Sequence, residues 1–288
     1  YKALLQQELN QLTRAPDSYI FHEHLEAVNE PVYFREFVAR AEAHGLAFVT
    51  ESDFAGMLGN DLPAEVASTI ERLALDFVRN RSFRQSLLVH DERAIDRTNL
   101  LARIEQLWLA SPLQPQGAGA QGGERFAAPH GPSVTSSAAL TVAALHVLAA
   151  HWPLPLPWQT LLAQATQRVA TAPDAQALHT LRVDLLNCYA GHLLDLHTGP
   201  GACTRTVSVQ PVASPLARYQ AGRGLPVTTL RHLHLTLDEP ARALLSWLDG
   251  STPLASLVAR WTTQYPQLDA GGCSRLLEDF ARAGLLSG

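Results

Sequence analysis

Apolar residues recur every three or four positions over much of this chain, the spacing of helices with one buried face. Leu4, Leu5, Leu9 and Leu12 predict a helix over residues 2–12, and Pro16-Asp17-Ser18 then supplies a break and a capping residue. From Pro31, the positions Val32, Phe34, Phe37, Val38 and Ala41 share one helical face, with Pro31 suited to the first turn and Gly45 to the stop. Short apolar runs at 46–50 and 84–90 predict two strands, with a helix over 65–78 between them. The N-terminal part is therefore read as mixed α and β.

Residues 112–132, PLQPQGAGAQGGERFAAPHGP, interrupt the pattern with Gly, Pro and Gln and are expected to be a flexible connector. The GAGAQGG run lacks the preceding strand and following helix start that a phosphate-cradling loop needs. Beyond it, helical patterns over 137–151, 158–166 and 174–191 precede apolar runs at 193–197 and 204–209 around Gly199-Pro200-Gly201, which suggests three helices and a hairpin. The end of the chain repeats the order, with a strand over 230–237, helices over 239–248, 252–263 and 271–283, and Leu285-Leu286 last. CYAGHLLDL and FARAGLLSG match as endings, so two tandem winged-helix-like units are expected. The fold class is mainly α with small β elements, α+β. The expected domains are 1–110, a linker at 111–133, a first winged-helix-like domain at 134–212 and a second at 213–288.

Composition narrows the picture. At 288 residues and 47% hydrophobic, the chain can bury more than one core. No apolar run is long enough for a membrane span and the N-terminus has no signal-peptide order, so a cytoplasmic protein away from membranes is expected. Cys188, Cys203 and Cys273 show no CxxC spacing, which argues against a disulfide framework or a zinc site. The chain opens on Tyr1 and its one methionine is Met57, so a fragment of a longer protein is expected. A net charge of -5, with Lys2 the only lysine, gives no broad phosphate-binding surface; the densest basic patch is Arg79, Arg81 and Arg84. The third helices of both repeats mix acids with their arginines, so nucleic acid is not the expected partner.

Candidate chemistry concentrates in HEHLEAVNEPVYF. Its substrate-facing or cleft-facing candidates are His22, Glu23, Asn29, Glu30, Tyr33 and Phe34. On a helix, His22 and His24 would point apart and could not chelate one ion; on a strand, His232 and His234 would share a face, yet no third ligand completes either pair. No metal site is therefore expected. Glu23, Glu26 and Glu30 could do acid or base work or simply form a solvated face. No GxSxG elbow is present and Cys188 lies in an apolar stripe, so no catalytic nucleophile is expected. Asn29 and Glu30 also fit a helix cap and dipole partner, with Tyr33 and Phe34 in the core.

The motifs PDSYIFHEHLEAVNEPVYFREF, AHGLAFVTESDF, LPAEVA and RNRSFRQSLLVH, over residues 16–90, resemble the predicted methyltransferase regulatory domain of bacterial class I S-adenosylmethionine-dependent methyltransferases. SPLARYQA, VTTLRH and LLSWLDGS are similar to the C-terminal region of the same proteins, which resemble bacterial protein lysine methyltransferases ending in a winged-helix domain. The order helix, strand, helix, strand over 31–90 resembles the last helix and antiparallel hairpin of a methyltransferase sheet. The resemblance implies that the candidates lie beside a methyl-transfer cleft, with Asn29 and Glu30 orienting a substrate amine or the cofactor and Tyr33 and Phe34 walling the pocket. The chain departs from the family in lacking the glycine-rich cofactor-binding domain, and residues 71–77 run shorter than the family's acidic stretch. No cofactor is expected in this chain; S-adenosylmethionine belongs to the associated catalytic domain. The expectation is a non-catalytic regulatory and substrate-recognition portion of a protein methyltransferase. Its partners would be that catalytic domain, in cis or trans, and a protein substrate, with self-association left open. The alternative is a stand-alone winged-helix module that binds protein or DNA.

Overall fold

Helix α1, Lys2–Leu12, follows the predicted leucine spacing. The computed structural model describes residues 2–15, 17–52, 83–96, 100–119, 122–128 and 131–288. The helix expected over 65–78, together with Arg79 and Arg81, lies outside these residues. The chain divides into two compact units, one before residue 97 and one from there to the C-terminus.

In the first unit, helix α2 spans Phe34–Ala43. It starts three residues later than Pro31 suggested, because Tyr33 is extended and takes the N-cap position. Gly45, at φ 69°, ends it in the left-handed region that glycine tolerates. The chain then enters strand β1, Leu46–Glu51, which pairs antiparallel with β2, Ser86–His90, through a bulge between Phe48 and Thr50.

The second unit opens with a helical turn, Leu100–Arg103, and strand β3, Trp108–Ala110. The expected linker is structured. Strands β4 (Gln114–Ala118), β5 (Glu124–Ala127) and β6 (Ser133–Ser136) form an antiparallel meander. Phe126 is fully buried and meets the His146 ring edge-on at 5.1 Å, and His146 Nε2 lies 2.8 Å from Glu124 Oε1. Gly123, at φ 77°, leaves no room for a side chain against the Ser136 carbonyl. The glycines that looked like flexibility thus allow close strand approach.

Helices α3 (Ala139–His151), α4 (Trp158–Val169) and α5 (Ala175–Ala190) fall where the periodicity predicted, with the short strand β7, Leu156–Pro157, between the first two. Leu145, Leu148, Leu161, Leu181 and Leu185 are buried in one core with Phe126 and Trp158. The expected hairpin around Gly199-Pro200-Gly201 does not form. Strand β8, Asp195–His197, pairs instead with β3, which also pairs with β7. The domain boundary expected at 110 therefore fails, because β3 belongs to the sheet of the second unit.

The C-terminal lobe has its own core. Strand β9 (Val212–Ala213) leads into helix α6 (Pro215–Gly222), which the periodicity did not show, capped by Ser214 and carrying Ala217 and Ala221 inward. The strand expected over 230–237 shrinks to a hairpin of β10 (Val227–Thr228) and β11 (His234–Leu235). Helices α7 (Glu239–Ser246), α8 (Leu254–Gln264) and α9 (Ala270–Arg282) then lead to β12 (Leu286–Ser287), which pairs with β9.

The repeat read from CYAGHLLDL and FARAGLLSG is present in the backbone. Leu193 N donates to Cys188 O and His192 N to Tyr189 O; Leu285 N donates to Phe280 O and Gly284 N to Ala281 O. His192 and Gly284 occupy the matching left-handed position at φ 55° and 73°, so both third helices end in the same paired-hydrogen-bond cap. Each lobe is thus closed by its last strand pairing with an earlier one. Asp238 caps α7 by accepting from Ala241 N at 3.0 Å. Asp238→Ala is expected to cost about 1 kcal/mol, seen as a drop of a few degrees in the thermal midpoint of the C-terminal lobe.

Candidate functional site

The NEPVYF segment leads directly into α2, and the hairpin β1–β2 receives the first residue of that helix. Phe34 meets Phe48 of β1 edge-on, with ring centroids 5.0 Å apart, and Phe37 at 6.1 Å. The Arg84 guanidinium covers the Phe34 ring at 4.2 Å. Arg84 Nη1 donates to Glu51 Oε1 at 2.5 Å, while Glu51 Oε2 accepts from Gln85 N at 3.1 Å. Ser86 Oγ lies 3.4 Å from the same carboxylate, whose side chain is 1% exposed. A buried carboxylate is tolerated only when paired and hydrogen-bonded, and here arginine, backbone and hydroxyl all supply donors. The pair joins the end of β1 to the start of β2 beyond the bulge and so pins the hairpin register. Sequence reasoning placed Arg84 in a basic patch and passed over Glu51; an acid ending one apolar strand and an arginine starting its neighbour were the available signal.

The remaining candidates do not converge with Phe34. His22 and His24 lie on a π-helical turn, Ile20–His24. His22 Nδ1 faces Glu26 Oε2 at 3.5 Å, and His24 meets the Tyr19 ring edge-on at 5.7 Å, so the two imidazoles are engaged separately. Asn29 does not cap a helix. Its Nδ2 donates to the Glu23 carbonyl at 3.0 Å, which folds the NEP segment back on the turn, and Tyr33 occupies the N-cap position with no capping bond from its side chain. Glu30 is exposed, and Tyr33 is 56% exposed with Arg35 5.6 Å from its ring. The structure therefore brings Glu23 to Asn29, sends Phe34 into the hairpin and leaves Glu30 and Tyr33 facing outward. Phe21, Leu25, Val28 and Val32 are exposed as well, at 67%, 63%, 76% and 43%. Together with Tyr33 they make this short segment markedly apolar for a solvent-facing one.

Other candidates resolve more simply. His232 sits in a turn at φ 60° while His234 begins β11, so the strand that would have aligned them is absent. No group of three metal-ligating side chains occurs among the described residues. Cys188, Cys203 and Cys273 are buried free thiols; burial and the neighbouring Asp184 push Cys188 up to about 11, which removes it as a nucleophile near neutrality. In the third helices, Arg182 pairs with Glu105 at 2.5 Å, Arg275 with Asp269 at 3.6 Å and Arg282 with Asp279 at 2.7 Å. Those guanidiniums are matched by carboxylates, which leaves little net positive charge for a phosphate backbone.

The residues described do not fit S-adenosylmethionine. An adenosyl site of the expected kind needs a strand running into a glycine-rich turn with an acid left for the ribose. The acid that ends a strand here, Glu51, already accepts from Arg84, Gln85 N and Ser86. No step through the cofactor follows from these residues.

Residues 16–90 match the model of the predicted methyltransferase regulatory domain, and residues 210–267 match that of the PKMT C-terminal winged helix domain. PKMT2 from Rickettsia typhi has the same fold, with a TM-score of 0.85 at 20% identity, over 100% of this chain and 65% of that one. The structure of the same protein in complex with AdoHcy superposes with a TM-score of 0.84 at 20% identity, over 100% of this chain and 64% of that one. An uncharacterized protein of Rickettsia prowazekii (strain Madrid E), RP789, is 30% identical over 105 residues, which cover 34% of this chain and 19% of that protein. This chain therefore spans less than two thirds of each of these relatives. The family resemblance read in the sequence is borne out in both stretches: residues 16–90 are similar to the methyltransferase regulatory domain and residues 210–267 to the C-terminal winged helix.

Proposed function

We propose that this chain is the regulatory and substrate-recognition portion of an S-adenosylmethionine-dependent methyltransferase acting on protein side chains. Methyl transfer is carried out by a cofactor-binding domain that the chain joins in cis or in trans. The observation that carries this reading is the exposed run of Phe21, Leu25, Val28, Val32 and Tyr33 in the segment that leads into α2. Five large apolar side chains in one short segment are costly to leave exposed to water, which favours a partner surface. The match of residues 16–90 to a methyltransferase regulatory domain supplies the kind of partner. In that assembly, His22, Glu23, Asn29 and Glu30 face the cleft and contact the substrate, Tyr33 walls it, and Phe34 holds the wall to the hairpin.

Two measurements test the reading. Titration of this chain into a cofactor-binding domain of the same family is expected to give saturable heat, while the chain alone transfers no labelled methyl group to protein. Methyl transfer by the isolated chain would overturn the division of labour. In the complete enzyme, Asn29→Ala with Glu30→Gln is expected to lower kcat/KM about tenfold or more, the loss of one or two polar contacts to the reacting group. The melting temperature should move little, because both side chains are exposed and the Asn29 bond to the Glu23 carbonyl that is lost is itself solvent-exposed. Unchanged turnover with a lowered melting temperature would reduce the two residues to a local structural role.

A further inference from the structure

The two lobes of the second unit have separate hydrophobic cores with no residue in common. Arg231, in the turn between β10 and β11, reaches from the C-terminal lobe into the first lobe. Its Nη1 donates to the Pro153 carbonyl at 2.8 Å and its Nη2 to the Asp195 carboxylate, while the guanidinium lies 4.1 Å over the Trp152 ring. The Arg231 side chain is 7% exposed. An arginine this buried, with a carboxylate, a carbonyl and an indole face all supplied by the other lobe, is more than a surface ion pair. On its own lobe the turn is held firm: Leu230 N donates to Gly284 O, and Thr229 Oγ1 accepts from Arg231 N and Leu233 N. A Cβ built on Gly284, at φ 73°, would lie 3.3 Å from both Arg231 Cγ and Cys203 Sγ, so the arginine stem, this glycine and the Cys203 thiol are packed together.

His197 completes the seam. It follows Asp195 by two positions on β8, which places both side chains on one face of the strand. Its Nε2 is buried and makes no hydrogen bond. Of the groups around it, Arg231 comes from the C-terminal lobe, Asp195 from its own strand, and the residue opposite it on β3 is the uncharged Trp108. We infer that Arg231 is a latch fixing the C-terminal winged-helix lobe against the first lobe, and that protonation of His197 releases it.

Electrostatics gives the direction. Burial, then the positive charge of Arg231, lower the affinity of His197 for a proton, with Asp195 opposing. Above the ordinary value of 6.5 the ring is neutral folded and unfolded. As the pH falls below that value the opened or unfolded chain takes up the proton first, so the latch is intact above it and is lost as the pH falls through the depressed folded value. A proton there places a second positive charge beside Arg231 and competes for Asp195, which is 52% exposed and therefore screened.

Cys203 reports the seam and Cys273, 0% exposed in the C-terminal core, reports unfolding of that lobe. Labelling of the full chain with a thiol reagent, resolved by mass spectrometry and normalised to a small thiol at each pH, separates the two. At pH 7.5, Arg231→Met is expected to speed Cys203 labelling about tenfold, the effect of losing one charge-assisted hydrogen bond, with Cys273 unchanged. Wild type should show the same gain on going to pH 5.5, and His197→Gln should abolish it. Equal acceleration of Cys203 and Cys273 would mean that the lobe unfolds rather than opens, and would overturn the latch. Acid acceleration that persists in His197→Gln would remove the histidine from it, and no acceleration in Arg231→Met or in Asp195→Asn would remove the arginine.

Discussion

Arg84→Ala is expected to raise amide exchange in β1 and β2 roughly a hundredfold, a local loss of about 3 kcal/mol. The reason is the Glu51 carboxylate, 1% exposed, which would stay behind without its counter-charge. Gln85 N and Ser86 would still donate to it, which keeps the cost at the lower end of what a broken buried pair causes. The substitution also uncovers the Phe34 ring, so its effect reaches α2 through the Phe34–Phe48 contact. Exchange measured residue by residue is the suitable readout, because all five tryptophans lie in the second unit and fluorescence would miss the first. Glu51→Leu combined with Arg84→Met should recover most of the protection, since removing both charges removes the desolvation problem with the attraction. A single Arg84→Ala that left exchange unchanged would show that the hairpin register is held by something other than this pair.

Phe280→Ala is the second large effect. The ring is 2% exposed and belongs to the C-terminal core with Leu244, Leu285 and Trp261. Truncation leaves a cavity between α9 and the segment entering β12, and should cost about 3–5 kcal/mol, lowering the melting temperature of that lobe by roughly 10 °C. Phe280 O also accepts the hydrogen bond from Leu285 N that closes the helix, so the closing strand loosens with the core. The first lobe keeps its own cluster around Phe126 and Leu145, and its transition should move less. Thermal unfolding followed by near-ultraviolet dichroism, where Trp247 and Trp261 report the C-terminal lobe and Trp158 the first, resolves the two.

The helices were readable because their signal is local. Leu140, Ala144, Leu148 and their counterparts in α4, α5, α7, α8 and α9 repeat at the helical period and become the buried faces of the two cores. The matched endings at His192 and Gly284 were readable for the same reason: the cap is decided by a few neighbouring residues. Strands fared worse. β3 lies 87 positions before its partner β8, and among the described residues the meander at 114–136 carries Phe126, Ala128 and Val134 inward, too few for an alternation to stand out against glycine and proline. Helix α6 was missed because two alanines make a weak apolar face.

Among the candidate site residues, composition drew attention to the right segment and the wrong grouping. His22, Glu23, Asn29, Glu30, Tyr33 and Phe34 are neighbours in sequence, but a π-helical turn and an extended stretch separate them, and only Glu23 with Asn29 is joined by a hydrogen bond. The contacts that organise the unit, Glu51 with Arg84 and Phe34 with Phe48, join residues 33 and 14 positions apart. What the sequence alone determined about this protein is the helical frame, the tandem lobes and the methyltransferase-related motifs, because each rests on a periodicity or a short string of neighbours. Only the tertiary structure decided that the supposed linker is a sheet, that Glu51 is buried, and that Arg231 spans two cores. Each of those depends on which distant segment the chain folds against, and no local pattern of residues encodes that choice.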